Sequence, residues 1–157
     1  MTLSSRARSL LKQGDRQVAA GEVPGAIAAY SDVLRMDPGN VRALERKGAA
    51  LLTVGDFAGA LECRNELVER QPDNAVRRVD RAQVLAQLQR YEEAIADLDA
   101  ALQQIGPSSS LLKDKGLFLR RAGRPQEAVR TYRKAIDLNP ADADLRAALG
   151  DALLDIG

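Results

Sequence analysis

The chain has no histidine, the side chain that most often serves as a general base near neutral pH and as a transition-metal ligand. Serine triads and ordinary metal sites go with it. Its single cysteine, Cys63, cannot build an intramolecular disulfide framework and fits a reducing compartment. There is no glycine-rich phosphate loop. Neither sign of charge dominates: 23 Lys and Arg stand against 22 Asp and Glu, a net charge of +1. Such a mixed surface lacks the electrostatic grip on phosphates that nucleic-acid binding needs, so nucleic acid is not an expected partner. Met1 to Asp15 carries basic residues but no continuous apolar run, so neither a signal peptide nor a membrane span is expected and a cytoplasmic location is the default. No cofactor, metal or catalytic residue is expected.

Three local features invite chemistry and each has a plainer reading. Ser110-Leu-Leu-Lys113 has the Ser-x-x-Lys spacing of some acyl-transfer enzymes, yet Ser108 to Ser110 stand where helix caps are needed. Glu92 and Glu93 form a carboxylate pair, which at a helix start favours the positive end of the helix dipole. Arg64 beside Cys63 would lower that thiol's pKa, against the plainer expectation of a half-exposed helical cysteine.

What the sequence does have is a period. Blocks starting at Ala7, Val41, Ala75 and Ser109 recur every 34 residues without insertion, and a fifth starts at Ala143 and runs to Gly157. Position 8 of each copy is small (Gly14, Gly48, Ala82, Gly116, Gly150), and position 20 is alanine (Ala26, Ala60, Ala94, Ala128). Within a copy, apolar residues recur at helical spacing twice, as with Leu112, Leu119 and Ala122, then Ala128, Val129, Tyr132, Ala135 and Ile136. Each copy is therefore two short helices whose small residues let the backbones approach. Residue 34 of each copy is Asn40, Asn74, Ser108 or Asp142, all strong N-cap types. Gly21, Gly55 and Gly123 stand where the first helix must stop, with Gln89 as the exception. First helices are predicted near 7–20, 41–54, 75–88, 109–122 and 143–156, and second helices near 23–36, 57–70, 91–104 and 125–138.

This pattern, with Leu10, Leu44 and Leu112 at position 4, Tyr30 and Tyr132 at position 24 and Pro38, Pro72 and Pro140 at position 32, resembles the tetratricopeptide repeat (TPR) family. The resemblance implies an all-α, right-handed superhelical solenoid of antiparallel helix pairs. Residues 1–6 would be an N-terminal extension, followed by repeats 7–40, 41–74, 75–108 and 109–142 and the partial repeat 143–157. The chain departs from the family's pattern in lacking its tryptophan at position 4. Arg78 and Arg146 take that place in two copies, Arg64 replaces the aromatic at position 24, and Gly106-Pro107 displaces the proline of the third copy. The helices with Arg78 and Arg146 are expected to pack less apolar area, and the third copy, the least regular, is expected to show a local change of superhelical angle or looser packing.

The resemblance also implies a concave face lined by first-helix positions 2, 5, 6, 9, 12 and 13, where the family binds peptides or helices. Those places offer Arg8, Leu11, Lys12, Val18, Arg42, Arg46, Ala49, Leu52, Val76, Val79, Gln83, Leu117, Arg120 and Arg121. Apolar anchors edged by arginines would suit a peptide with acidic flanks. The family's carboxylate clamp for chaperone tails is not expected, because Leu11, Asp15, Arg46, Val76 and Asp80 occupy its positions. The last helix keeps Leu145, Leu149, Leu153 and Ile156 at inward positions without a following second helix, which makes self-association through it an alternative. Regulation of a larger enzyme is a third.

Overall fold

A computed structural model describes residues 3–157. Among them the chain forms nine helices and no strand. The first helices of the copies are α1 (Leu3–Ala19), α3 (Val41–Thr53), α5 (Ala75–Gln87), α7 (Ser109–Arg121) and α9 (Ala143–Leu154); the second are α2 (Val23–Met36), α4 (Phe57–Arg70), α6 (Tyr91–Ile105) and α8 (Pro125–Leu138). Eight of the nine lie within two residues of the sequence expectation. The difference is α1, which begins at Leu3 rather than at residue 7, so that residues 3–6 are helical. Residues 1 and 2 of the expected extension lie outside the described residues.

Caps explain the sharp helix starts. Asn40 Oδ1 accepts from the Ala43 N–H at 3.1 Å, Asn74 Oδ1 from Val76 at 3.1 Å, and Asp142 Oδ1 from Asp144 at 2.9 Å and Leu145 at 3.2 Å. Ser108 Oγ does the same for Leu111 at 3.5 Å. Each such cap contributes about 1 kcal/mol. First helices stop at a left-handed residue, with φ of 78°, 77° and 76° at Gly21, Gly55 and Gly123. Gln89 adopts the same conformation with φ of 58°, so the repeat imposes it even where a side chain must be strained to fit.

The chain divides into two compact units, one up to Pro72 and one from Asp73. In the first, α1 packs on α2, α2 on α3 and α3 on α4. Leu11, Ala26, Tyr30, Val33, Ala43 and Ala50 form one core cluster, with Leu10, Ile27 and Leu34 against it. Gly14 is required there, because a Cβ would come within 3.0 Å of the Tyr30 ring. In the second unit α5 packs on α6, α6 on α7, α7 on α8 and α8 on α9. Leu98, Leu119, Tyr132, Ala135 and Leu145 are among its fully buried residues. The contact recurs between Gly116 and Tyr132, where a Cβ would lie 2.5 Å from the ring.

In the third copy α5 and α6 pack as closely as α1 and α2, so the looser packing expected there is not seen; what differs is an ion-pair cluster. Asp97 is 4% exposed and accepts from Arg81 Nε at 2.7 Å and Arg81 Nη2 at 2.6 Å, with Arg78 Nη1 at 3.6 Å. The arginine at position 4 thus closes an ionic cluster between α5 and α6 rather than leaving a gap.

Candidate functional site

Among the described side chains of α1, α5 and α7 the exposed large apolar residues are Val18 at 45%, Val76 at 61% and Leu117 at 40%, each at one of the six face positions. On α3 the face offers exposed Ala49 and half-buried Leu52, and on α5 half-buried Val79 and exposed Gln83. Arg8, Lys12, Arg42 and Arg121 are exposed around them.

Two of the expected arginines are already engaged. Arg46 Nη1 lies 2.7 Å from Asp15 Oδ2, whose other oxygen accepts from the Tyr30 hydroxyl at 3.0 Å. Burial and that carboxylate push the Tyr30 phenol up to about 12. Arg120 Nε donates to Asp155 at 2.7 Å and Arg120 Nη1 to Asp151 at 3.3 Å, which ties α7 to α9 and holds the Asp155 carboxyl below its ordinary range. Leu11 needs a correction: at 4% exposure it belongs to the core cluster and does not stand out from the face. Leu145 is likewise fully buried, so among the residues expected for self-association only Leu149, Leu153 and Ile156 retain exposed surface.

In the first unit the structure brings Arg8, Leu11 and Arg42 together around a pocket of about 290 Å3. Met36 closes it from the end of α2, and Asp37 and Asn40 from the loop before α3. Sequence reasoning missed these last three, because it counted only first-helix positions. The signal was available in the repeat itself: the last residues of one copy lead directly into the first turn of the next.

The local features that invited chemistry resolve structurally. Ser110 Oγ lies 3.1 Å from Ser108 Oγ, while Lys113 Nζ faces Asp142 and Asp144 at 3.6 Å each. Cys63 is buried, not half-exposed, and burial pushes its thiol up despite Lys47 and Arg64 nearby. Glu92 accepts from Arg124 at 2.7 Å. Among the described residues no group of His, Cys, Asp and Glu side chains is placed to hold a metal ion, and no helix is long and apolar enough to cross a membrane.

Relatives agree with this architecture. The DnaJ homolog subfamily C member 7 homolog of Schizosaccharomyces pombe is 33% identical over 94% of this chain and 34% of its own length. The small glutamine-rich tetratricopeptide repeat-containing protein 2 of Mycosarcoma maydis is 28% identical over 68% of this chain and 30% of its own. The chain thus spans about a third of the length of these curated relatives. Among solved structures, MamA from Desulfovibrio magneticus RS-1 superposes with a TM-score of 0.83 at 18% identity, over 98% of this chain and 86% of that one. A family profile described as tetratricopeptide repeat matches residues 6–75 and 50–110, and another described as TPR repeat matches 116–157. With the 34-residue register, the paired helices and the Gly–Tyr contacts, these matches show that the chain belongs to the tetratricopeptide repeat family.

Proposed function

We propose that the chain is a non-catalytic protein-interaction module whose first-helix faces bind a peptide or helix of a partner protein. Family membership supports an interaction module. The observation that carries the reading is that Val18 in the unit up to Pro72, and Val76 and Leu117 in the unit from Asp73, are exposed apolar residues at face positions of their helices. Scattered exposed apolar residues are ordinary, and others stand off these positions, Val54, Ile105, Leu138 and Leu153 among them; it is the recurrence at face positions of three first helices that supports the reading. The Asp15–Arg46 pair sits at two positions of the family's carboxylate clamp, which supports a ligand other than a chaperone tail.

Peptide-display selection on the chain tests the reading, run beside Val18→Glu and Val76→Glu. Both sites are exposed, so neither variant should lose its fold. Enrichment of one motif by the parent and its loss in either variant is the expected result; a motif retained by both variants would move binding off these faces.

A second reading, self-association through α9, is favoured by Gly150. A Cβ there meets nothing within 4 Å, unlike Gly14 and Gly116, and Leu153, Leu154 and Ile156 are 45%, 81% and 42% exposed. Leu149→Asp with Leu153→Asp should leave a monomer by light scattering where the parent's mass rises with concentration. A parent mass that stays monomeric at every concentration would remove this reading.

A further inference from the structure

Copies one to four each pair a first helix with a second, and α9 stands without one. Its open side shows what a second helix covers elsewhere. Position 8 of the repeat is buried at Gly14, Gly48, Ala82 and Gly116 and exposed at Gly150. Position 11 follows the same rule: Leu51, Leu85 and Leu119 are 6%, 3% and 1% exposed, whereas Leu153 is 45% exposed. This side of α9 therefore continues, one copy further on, the interface that α1 makes with α2 and α7 with α8.

In copies one and four that interface is built around a tyrosine. A Cβ at Gly14 would lie 2.4 Å from the Tyr30 ring and one at Gly116 2.5 Å from that of Tyr132, so the glycine is the seat of the ring; a Cβ at Gly150 would meet nothing within 4 Å. Copies one and five also share the residue that follows, as Gly14-Asp15 and Gly150-Asp151, where the others have Ala49, Gln83 and Leu117. Asp15 Oδ1 accepts from the Tyr30 hydroxyl at 3.0 Å while its Oδ2 pairs with Arg46 at 2.7 Å. Asp151 Oδ2 likewise faces an arginine, Arg120 Nη1 at 3.3 Å, and its side chain is 62% exposed. Seat and acceptor are both repeated on α9. Each seated tyrosine follows an alanine by four residues, Ala26 and Ala128, both fully buried, which places the two on one helix face. A second copy has no such helix to spare. Tyr30 and Tyr132 are 2% and 1% exposed, and the Tyr91 ring lies 6.5 Å from that of Phe118.

We propose that the open side of α9 binds a helix of a partner protein carrying Ala-x-x-x-Tyr, with the ring seated on Gly150 and the hydroxyl donating to Asp151. This gives α9 an occupant other than a second copy and does not depend on peptide binding at Val18, Val76 and Leu117.

The test is a two-dimensional amide NMR titration of the whole chain with an end-blocked peptide of residues 22–37, the chain's own tyrosine-bearing helix, and with the Tyr30→Phe and Tyr30→Ala forms of that peptide. The tyrosine peptide should shift the amides of Gly150, Asp151 and Leu153. It should bind about threefold to tenfold tighter than the phenylalanine form, the range of one net hydrogen bond, and the alanine form should be weaker again. In the Asp151→Ala chain, where Asp155 still holds Arg120, the tyrosine and phenylalanine peptides should bind alike. Gly150→Leu, at an exposed position and with circular dichroism as the folding control, should abolish the α9 shifts. Equal affinity of the parent chain for the three peptides overturns the proposal. Shifts confined to α1 and α3 overturn it too, since they would mean that the peptide exchanges with α2. If α9 amides shift with chain concentration alone and the mass rises above the monomer whether or not peptide is present, self-association takes its place. No α9 shift up to about 1 mM peptide overturns it as well and leaves the first-helix faces to the display selection.

Discussion

Position 8 of the repeat shows how one residue type serves different ends. At Gly14 and Gly116 a Cβ would strike a tyrosine ring, at Gly48 it would meet Cys63 Cβ at 3.3 Å, and at Gly150 it would meet nothing. Overpacking costs about 1–3 kcal/mol, while alanine gains about 1 kcal/mol over glycine in helix propensity. Gly14→Ala and Gly116→Ala should therefore each lower stability by about 1–2 kcal/mol. Gly150→Ala should raise it by about 0.5–1 kcal/mol. Urea midpoints at unchanged slope measure all three. A loss at Gly150 matching the other two would show that α9's open notch is filled in solution. The Tyr30 hydroxyl supplies a second residue-scale test. Its folded pKa of about 12 lies above the ordinary value near about 10, so its contribution is complete below about pH 10 and is lost as pH rises through about 12. Tyr30→Phe should cost about 1 kcal/mol at neutral pH and make the decline of stability between those pH values shallower than the parent's. Parallel curves for parent and variant would remove the Asp15 hydrogen bond from the account.

At the scale of the element, the third copy exchanges apolar contact for charge. Copy one has Leu10, Gln13 and Ala29 where copy three has Arg78, Arg81 and Asp97. Removing only the carboxylate leaves two arginine side chains, 24% and 23% exposed, without their shared acceptor. Breaking a buried pair costs about 3–5 kcal/mol, and the partial exposure of the arginines puts Asp97→Ala near about 2–3 kcal/mol. Replacing all three with the residues of copy one (Arg78→Leu, Arg81→Gln, Asp97→Ala) should recover most of that loss, since an apolar replacement of a buried ionic cluster is often neutral or better. Thermal melts of the single and triple variants decide it; a triple variant no more stable than Asp97→Ala would mean that the cluster has no apolar substitute here. This cluster also marks the limit of what the sequence made legible. Helix limits and caps were readable because Asn40, Asn74, Ser108 and Asp142 act on backbone two or three residues away. The cluster joins residues 16 apart on different helices, and its only trace in the sequence was that two unusual residue types fell in one copy. The candidate face was legible as a set of positions. Which arginines were spent on Asp15, Asp151 and Asp155 was not, because ion pairing is decided by side-chain reach across neighbouring helices.

At the scale of the whole molecule, the division at Pro72 and Asp73 sets a question that the repeat alone does not raise. In a repeat array, stability is close to a sum over copies and their neighbour interfaces, and a short chain buries a smaller share of its surface. The unit from Asp73 holds five helices, α5 to α9, and the unit before it holds four. It also carries cross-helix ion pairs at Arg120, Lys113 and Arg124 and the buried Asp97 cluster. The fragment 73–157 should therefore unfold in urea as one cooperative transition, with a midpoint above that of the fragment 1–72. Added salt should lower its midpoint only slightly, because the exposed pairs each contribute about 0–1 kcal/mol and Asp97 is shielded from solvent. Circular dichroism and fluorescence-free calorimetry suit a chain without tryptophan. If 1–72 proved the more stable fragment, copy number would not be the controlling term, and the dense packing around Tyr30, with its hydrogen bond to Asp15 and the Arg46 ion pair, would have to outweigh an entire additional helix.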